Sequence, residues 1–185
     1  MAGVQRISTD AIEVDVSVPD SKLTRDQIIA RNMRVVEAHF HNENPDTVEK
    51  AIELYNKKKI VWEAPTRGVV MDNSDDILKA YRGIFRTVAY KSYIPIRRFA
   101  TEKYVFDDQI AHIKIVGDEM ENLPYPKGAE LSVRLAHVFE LEDGKIVREI
   151  AYEMWREEGT VCAVDHIPEG AKELRFDSPA DAPTK

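Results

Sequence analysis

Cysteine is nearly absent from this 185-residue chain, and the single one, Cys162, excludes an intramolecular disulfide and a cysteine-built zinc cluster. Cys162 lies in a Gly/Thr/Val segment without a neighbouring base in sequence, so it reads as a small apolar side chain and not a nucleophile. The N-terminus lacks a basic region followed by an apolar run, which argues against a signal peptide. No apolar stretch is long enough to span a bilayer. Positive charge is in deficit: 26 Lys+Arg against 33 Asp+Glu give a net charge of −7. The one basic run, Lys57-Lys58-Lys59, fits a solvated loop. Neither nucleic acid nor a membrane is an expected partner, and the cytoplasm is the expected location.

What remains is a chain of a length that suits one domain with extensions, able to bury roughly 70% of its unfolded surface without staples. Residues 1–22 are expected to form an extended arm, because Ile12, Val14, Val16 and Val18 alternate as in an edge strand and Pro19 ends the run. Thr24 opens a helix with Gln27 three positions on, the pattern of a capping box. Its apolar stripe is Ile29, Met33, Val36 and Phe40. Asn44-Pro45 starts a second helix that carries Tyr55. "KIVWEAP" is a short strand stopped by Pro65, and Asn73 or Ser74 caps a third helix with an inner stripe of Ile77, Tyr81, Ile84, Phe85 and Val88. Strands follow to about residue 156, interrupted by the long loop "GDEMENLPYPKG", and residues 157–185 read as a polar tail. Helices first and a meander of strands last is an α+β pattern.

The stretch "LAHVFELEDGKIVREIAYEMWRE" (Leu135 to Glu157) is the most informative. Asp143-Gly144 supplies the positive φ angles of a two-residue hairpin loop. Yet the flanking strands hold Arg134, His137, Glu149 and Glu153 among apolar residues. Such a hairpin either has one wet face or lines a pocket, as a twisted sheet curled around helices does.

The order "VVEAHFHNENPDTVEKAIELYNKKKIVWEAP", a capped helix, and strands ending in "LEDGKIVRE" resembles the SnoaL-like polyketide cyclases and ketosteroid isomerases of the nuclear transport factor 2-like superfamily. The resemblance covers about residues 24–156. It implies a cone: a curved antiparallel sheet wrapped around three N-terminal helices, with a deep apolar pocket. It also implies cofactor-free acid–base chemistry, or plain ligand binding in the same pocket. Carried over residue by residue, His39 falls where isomerases place an oxyanion-hole tyrosine. Ala64 falls at the general-base position with Glu63 one residue earlier, and Arg134 at the position of a second acid. Among dehydratases, Asn44 stands near the helix-one aspartate and His112 is the sheet histidine. Epoxide hydrolysis would need a carboxylate–arginine–carboxylate cluster, for which Arg134 with Glu149 or Glu153 is the candidate.

The candidate catalytic residues are therefore His39, Glu63, His112, Arg134 and Glu153, and Asn32, Tyr55, Trp62 and Tyr90 are assigned to substrate binding. Each has a plainer reading. His39, in line with Ile28, Asn32 and Val35, also suits a half-buried helix residue; Glu63 turns outward if Trp62 faces inward; His112 suits a structural strand residue. The resemblance puts Ser132, Arg134 and Ala136 on the inner face of one strand, opposite Glu149, Ala151 and Glu153 on the next, with His137 and Tyr152 facing away. No metal is expected, because no two His or carboxylate residues stand at a recognised ligand spacing. The expected function is an isomerase, cyclase or dehydratase acting on a small, largely apolar carbonyl or hydroxyl compound, with a non-catalytic binding module as the alternative. A homodimer through the convex face of the sheet is expected.

Overall fold

Thr24 begins the first helix as its composition requires: its hydroxyl accepts from the Gln27 N–H while the Gln27 side chain accepts from the Thr24 N–H at 2.8 Å. The computed structural model describes residues 5–6, 10–160 and 165–175; Cys162 and the last ten residues of the tail lie outside them. Helices α1 (Arg25–Asn42), α2 (Val48–Glu53) and α3 (Ser74–Thr87) pack on one face of a sheet. Asn73 caps α3, its side chain accepting from the Asp76 N–H at 2.9 Å.

The strands are β1 (Gln5–Arg6), β2 (Val61–Ala64), β3 (Val69–Met71), β4 (Val88–Ala100), β5 (Tyr104–Ile115), β6 (Glu130–Glu142), β7 (Lys145–Met154) and β8 (Leu174–Arg175). They form one sheet in the order β1-β8-β4-β5-β6-β7-β2-β3. The sheet is mixed, not antiparallel throughout, because β2 joins β7 in parallel and β1 joins β8 in parallel. The parallel β2–β7 pair follows from topology: α3 and four strands, β3 to β6, intervene before the chain returns beside β2. Register shifts at Tyr90/Ser92 and Pro95/Arg97 break the β4 ladder, and such bulges add twist and bend to a long strand. Pro95, which cannot donate to a ladder, sits at the second of them.

Asp143 and Gly144 both take positive φ, 48° and 73°, so the β6–β7 hairpin has the expected tight turn. Gly144 is also required by space: a Cβ there would meet the Arg31 side chain at 2.8 Å.

Three expectations change. The arm does not pair as a strand over Ile12–Val18. It lies along α1, where Asn42 both accepts from the Ile12 N–H (3.0 Å) and donates to its carbonyl (2.8 Å), and Val14 and Val16 pack on the core. The buried line of α1 runs through Ile28, Asn32, Val35, His39 and Asn42; of the expected stripe Val36 is fully buried, while Ile29, Met33 and Phe40 are only partly buried. Polar residues occupy that inner line because each finds a partner, so the apolar stripe points to its flank. The C-terminal segment also contributes to the sheet, since Leu174 pairs with Tyr93 and the Ser92 hydroxyl bonds the Glu173 carboxylate at 2.7 Å.

Candidate active site

Strand parity decides which side chains face the helices. On β6 the inward set is Leu131, Val133, Leu135, His137, Phe139 and Leu141; on β7 it is Val147, Glu149, Ala151 and Glu153. His137 lies edge-on to Phe40 of α1 at 5.0 Å between ring centres, which fixes the side. Two carboxylates, Glu149 and Glu153, therefore point into the interior from one strand.

Glu149 is flanked across the ladder by Phe139 of β6 and Trp62 of β2, both buried. His39 in the last turn of α1 and Glu43, the C-cap residue four positions on, meet it from above. The His39 Nε2 lies 2.8 Å from Glu43 Oε1 and 3.2 Å from Glu149 Oε2. Tyr55 reaches the same point because the chain leaving α2 is bridged to the start of β7 at Ile146. Its hydroxyl donates to Glu149 and lies 3.4 Å from His39 Nε2. Tyr81 of α3 places its hydroxyl 3.2 Å from His39 Nε2, 3.2 Å from Glu43 Oε1 and 3.3 Å from Glu149 Oε2. His39, Glu149, Tyr55 and Tyr81 are all buried, and Glu43 is partly open to solvent.

Burial works against a charged imidazole, but the carboxylates of Glu149 and Glu43 outweigh it and push His39 up to about 10. The same contact holds Glu149 below the usual carboxylate range, against its own burial. Burial and the nearby Glu149 raise both phenols well above their ordinary value, so Tyr55 and Tyr81 stay protonated donors. The node thus presents two carboxylates, an N–H and two O–H groups around one point.

A second polar pair lies further along β7. Arg67, in the turn after Pro65, donates to Glu153 through Nε (2.8 Å) and Nη2 (3.1 Å) and to the Glu121 carbonyl through Nη1 (2.9 Å). Trp155 Nε1 donates to the same carboxylate at 3.2 Å, and the guanidinium lies 5.8 Å from the centre of the Trp62 ring. Tyr90 connects the two groups electrostatically: burial raises its phenol first, then the fields of Glu43 and Glu153. Trp62 and Arg67 also line a cleft of about 480 Å3 between α3 and the 119–121 segment.

Of the residues singled out in the sequence, His39, Tyr55, Trp62 and Glu153 reach the interior, and Tyr90 lies within the field of both polar groups. The others do not join them. Arg134 faces away from the helices, bonded to Asp108 (2.7 Å from Nη2) and Asp165 (2.7 Å from Nη1), and not to Glu149 or Glu153. Its parity is opposite to the expectation, and His137 is inward instead of outward. A carboxylate–arginine–carboxylate cluster exists there, but on the outer face, with Arg97 and Arg156 joined to the same aspartates. Glu63 turns outward to Arg148 while Trp62 takes the inner side. His112 stands opposite Ser92 and Ser132 on the outer face. Asn32 is buried, but its amide donates to the Glu102 carbonyl at 3.0 Å, two helical turns from His39. Asn44 closes the turn after α1, accepting from the Asp46 N–H. Folding brings together a group that spacing along the sequence did not single out: His39, Glu43 and Glu149 offer ligand atoms all within 4.8 Å of one another. Sequence reasoning missed Glu43, Arg67 and Tyr81 as site residues. Only Glu43 carried a local signal, its i,i+4 spacing from His39.

The sequence matches no family model and no curated protein. Solved structures share its architecture. A nuclear transport factor 2-like protein from Burkholderia xenovorans superposes with a TM-score of 0.57 at 10% identity, over 68% of this chain and 91% of that one. A phenazine biosynthesis-related protein from Pseudomonas aeruginosa gives 0.56 at 16% identity, over 75% and 84%. An LEH-like epoxide hydrolase from M. tuberculosis gives 0.53 at 15% identity, over 68% and 84%. The chain has the nuclear transport factor 2-like α+β fold. Among the described residues no helix is long and apolar enough to cross a membrane.

Proposed function

We propose that the protein is an acid–base enzyme acting on a small, largely apolar compound that carries a carbonyl or hydroxyl oxygen. The observation behind this reading is the convergence of His39, Glu43, Glu149, Tyr55 and Tyr81 on one point inside an apolar shell of Trp62, Phe85 and Phe139. Hydrogen-bond donors held in place in a water-poor site stabilise negative charge developing on oxygen. Here the donors are the Tyr81 hydroxyl and His39 Nε2, held by Glu149. Glu43 is the proton acceptor: it is the member open to solvent and engages the node through Oε1, leaving Oε2 to reach a carbon-bound proton. The half-buried Tyr90, Tyr93, Leu135 and Trp155 supply an apolar wall on the side toward Glu153. Isomerisation, elimination and cyclisation all need this pairing of a base with an oxygen-directed acid.

The test is deuterium incorporation next to the carbonyl, followed by NMR in D2O over a panel of small apolar ketones and β-hydroxy ketones. Glu43→Gln and Tyr81→Phe should each lower exchange by 100-fold or more, while Glu63→Gln, on the outer face, should leave it unchanged. If bound ketones exchange at the solvent rate with the unaltered protein, the fold serves binding alone and the catalytic reading is wrong.

A further inference from the structure

The five groups at the node crowd around one ring nitrogen and two carboxylates. One ring nitrogen, His39 Nε2, has four oxygens within 3.4 Å: Glu43 Oε1 at 2.8 Å, Glu149 Oε2 at 3.2 Å, Tyr81 at 3.2 Å and Tyr55 at 3.4 Å. The two hydroxyls donate to the carboxylates, so the ring nitrogen faces two carboxylate acceptors, Glu43 and Glu149, and a single N–H bond has only one axis to share between them. We propose that His39, Glu43 and Glu149 bind a divalent transition-metal ion, with the Tyr55 and Tyr81 hydroxyls as the polar groups around it.

The spacing fits. Two ligand atoms each about 2.1 Å from a metal, at tetrahedral or octahedral angles, stand about 3.0–3.4 Å apart. Of the nitrogen–oxygen separations here, 3.2 Å falls in that range and 2.8 Å lies just below it, and the three ligand atoms lie within 4.8 Å of one another. The charge fits as well. A neutral imidazole with two carboxylates has a formal charge of −2, which a dication cancels. One proton on the ring leaves a formal −1 in an interior where an uncompensated charge is costly. The neighbouring Arg67–Glu153 pair is neutral as a unit and offers no further compensation. The support around the ligands is local: His39 lies in the last turn of α1, Glu43 is the residue that caps its C-terminus, and Glu149 is clamped between β6 and β2. One imidazole with two carboxylates is a borderline-to-hard donor set, suited to Mn2+, Fe2+, Co2+ or Zn2+ and not to a thiophilic ion.

The inference deepens the function proposed above, because it uses the same node. The ion would take the place of the His39 proton as the group that polarises a substrate oxygen, and Glu43 Oε2 would remain the proton acceptor. Binding is nevertheless measured without turnover, so either reading can fail alone.

The experiment uses untagged full-length protein stripped with a chelator and dialysed. Zn2+ is titrated by calorimetry and Co2+ by its visible absorption bands. One equivalent should bind with a Kd below about 1 μM, with d–d bands of a nitrogen–oxygen environment and a raised Tm. Glu43→Gln changes a partly exposed side chain and should fold normally, yet weaken binding at least 30-fold. His39→Gln should abolish the Co2+ spectrum, and His112→Gln, on the outer face, should leave it unchanged. No saturable binding by the unaltered protein below 100 μM would overturn the proposal. So would an affinity that Glu43→Gln and His39→Gln leave untouched, since the ion would then sit elsewhere. Tight binding without turnover supports the metal site and counts against the catalytic reading.

Discussion

Arg67 and Glu153 are joined by two hydrogen bonds in the interior, with side chains only 4% and 7% exposed. At an effective dielectric of ~20, two unit charges about 4 Å apart attract by ~4 kcal/mol. Desolvation offsets most of that gain when the pair forms, but removal of one partner leaves a buried charge, at a typical cost of about 3–5 kcal/mol. Arg67→Met should therefore lose about 3–5 kcal/mol, because Glu153 would keep only the Trp155 N–H at 3.2 Å. Glu153→Leu should lose a similar amount, since Arg67 would keep only the Glu121 carbonyl at 2.9 Å. The double variant should be closer to wild type than either single one, with a coupling of roughly 2–4 kcal/mol. Urea unfolding of the four proteins of the cycle measures this, provided the m-values agree. The Arg148–Glu63 pair is the internal control. Its arginine side chain is 48% exposed, and an exposed pair should couple by about 0–1 kcal/mol. If Arg67–Glu153 also couples by less than ~1 kcal/mol, water reaches the pair and its place in a dry interior is wrong.

Two further outcomes follow from the same geometry. In chelator-treated protein, His39 is raised from an ordinary value of 6.5 to about 10. Its pairing therefore stabilises fully below about pH 6.5 and is lost as pH rises through about 10. The Tm difference between wild type and His39→Gln should shrink steadily from pH 7 to pH 10.5, and a constant difference would refute the pairing. Arg134→Met should destabilise the fold, because Asp108 and Asp165 lose their shared partner, but leave ligand affinity and exchange rate unchanged; a loss of binding at full folding would return Arg134 to the interior.

Local chemistry was legible from the residues. Thr24 with Gln27, Asn73, and Asp143-Gly144 each act over three or four positions, and each was found where the sequence places it. Alternation left an extended arm and an edge strand equally open, because it does not supply a neighbouring strand: Ile12–Val18 lies unpaired along the side of α1. The parallel pairing of β2 with β7 joins residues 87 apart, such as Val61 and Arg148, and no local pattern encodes such a register.

The parity error on β6 has a sharper cause. Alternation by itself favours the inward set actually found, since Leu131, Val133, Leu135, Phe139 and Leu141 are apolar and only His137 interrupts them. The other set, Ser132, Arg134, Ala136, Val138 and Glu140, is mixed, as an outer face should be. Assigning Arg134 inward by likeness to a family position overrode that period, and a one-residue slip moves every side chain of a strand to the wrong face. The corrected parity also locates the site. Inward positions on β6, β7 and α1 are apolar except at a few places, and His39, Glu149 and Glu153 are among those exceptions. Each sits where hydrophobic burial alone would select a Leu or Val, so each must be held by partners brought from elsewhere. Those partners, Tyr55, Tyr81 and Arg67, come from α2's exit, α3 and the turn after β2, and Glu149 and Glu153 lie 94, 68 and 86 residues from them. A polar residue at a core parity position is therefore a pointer that sequence alone supplies, shared here by Asn32 and Asn42, whose partners are the Glu102 and Ile12 backbone; which of these positions forms the site is a property of the fold.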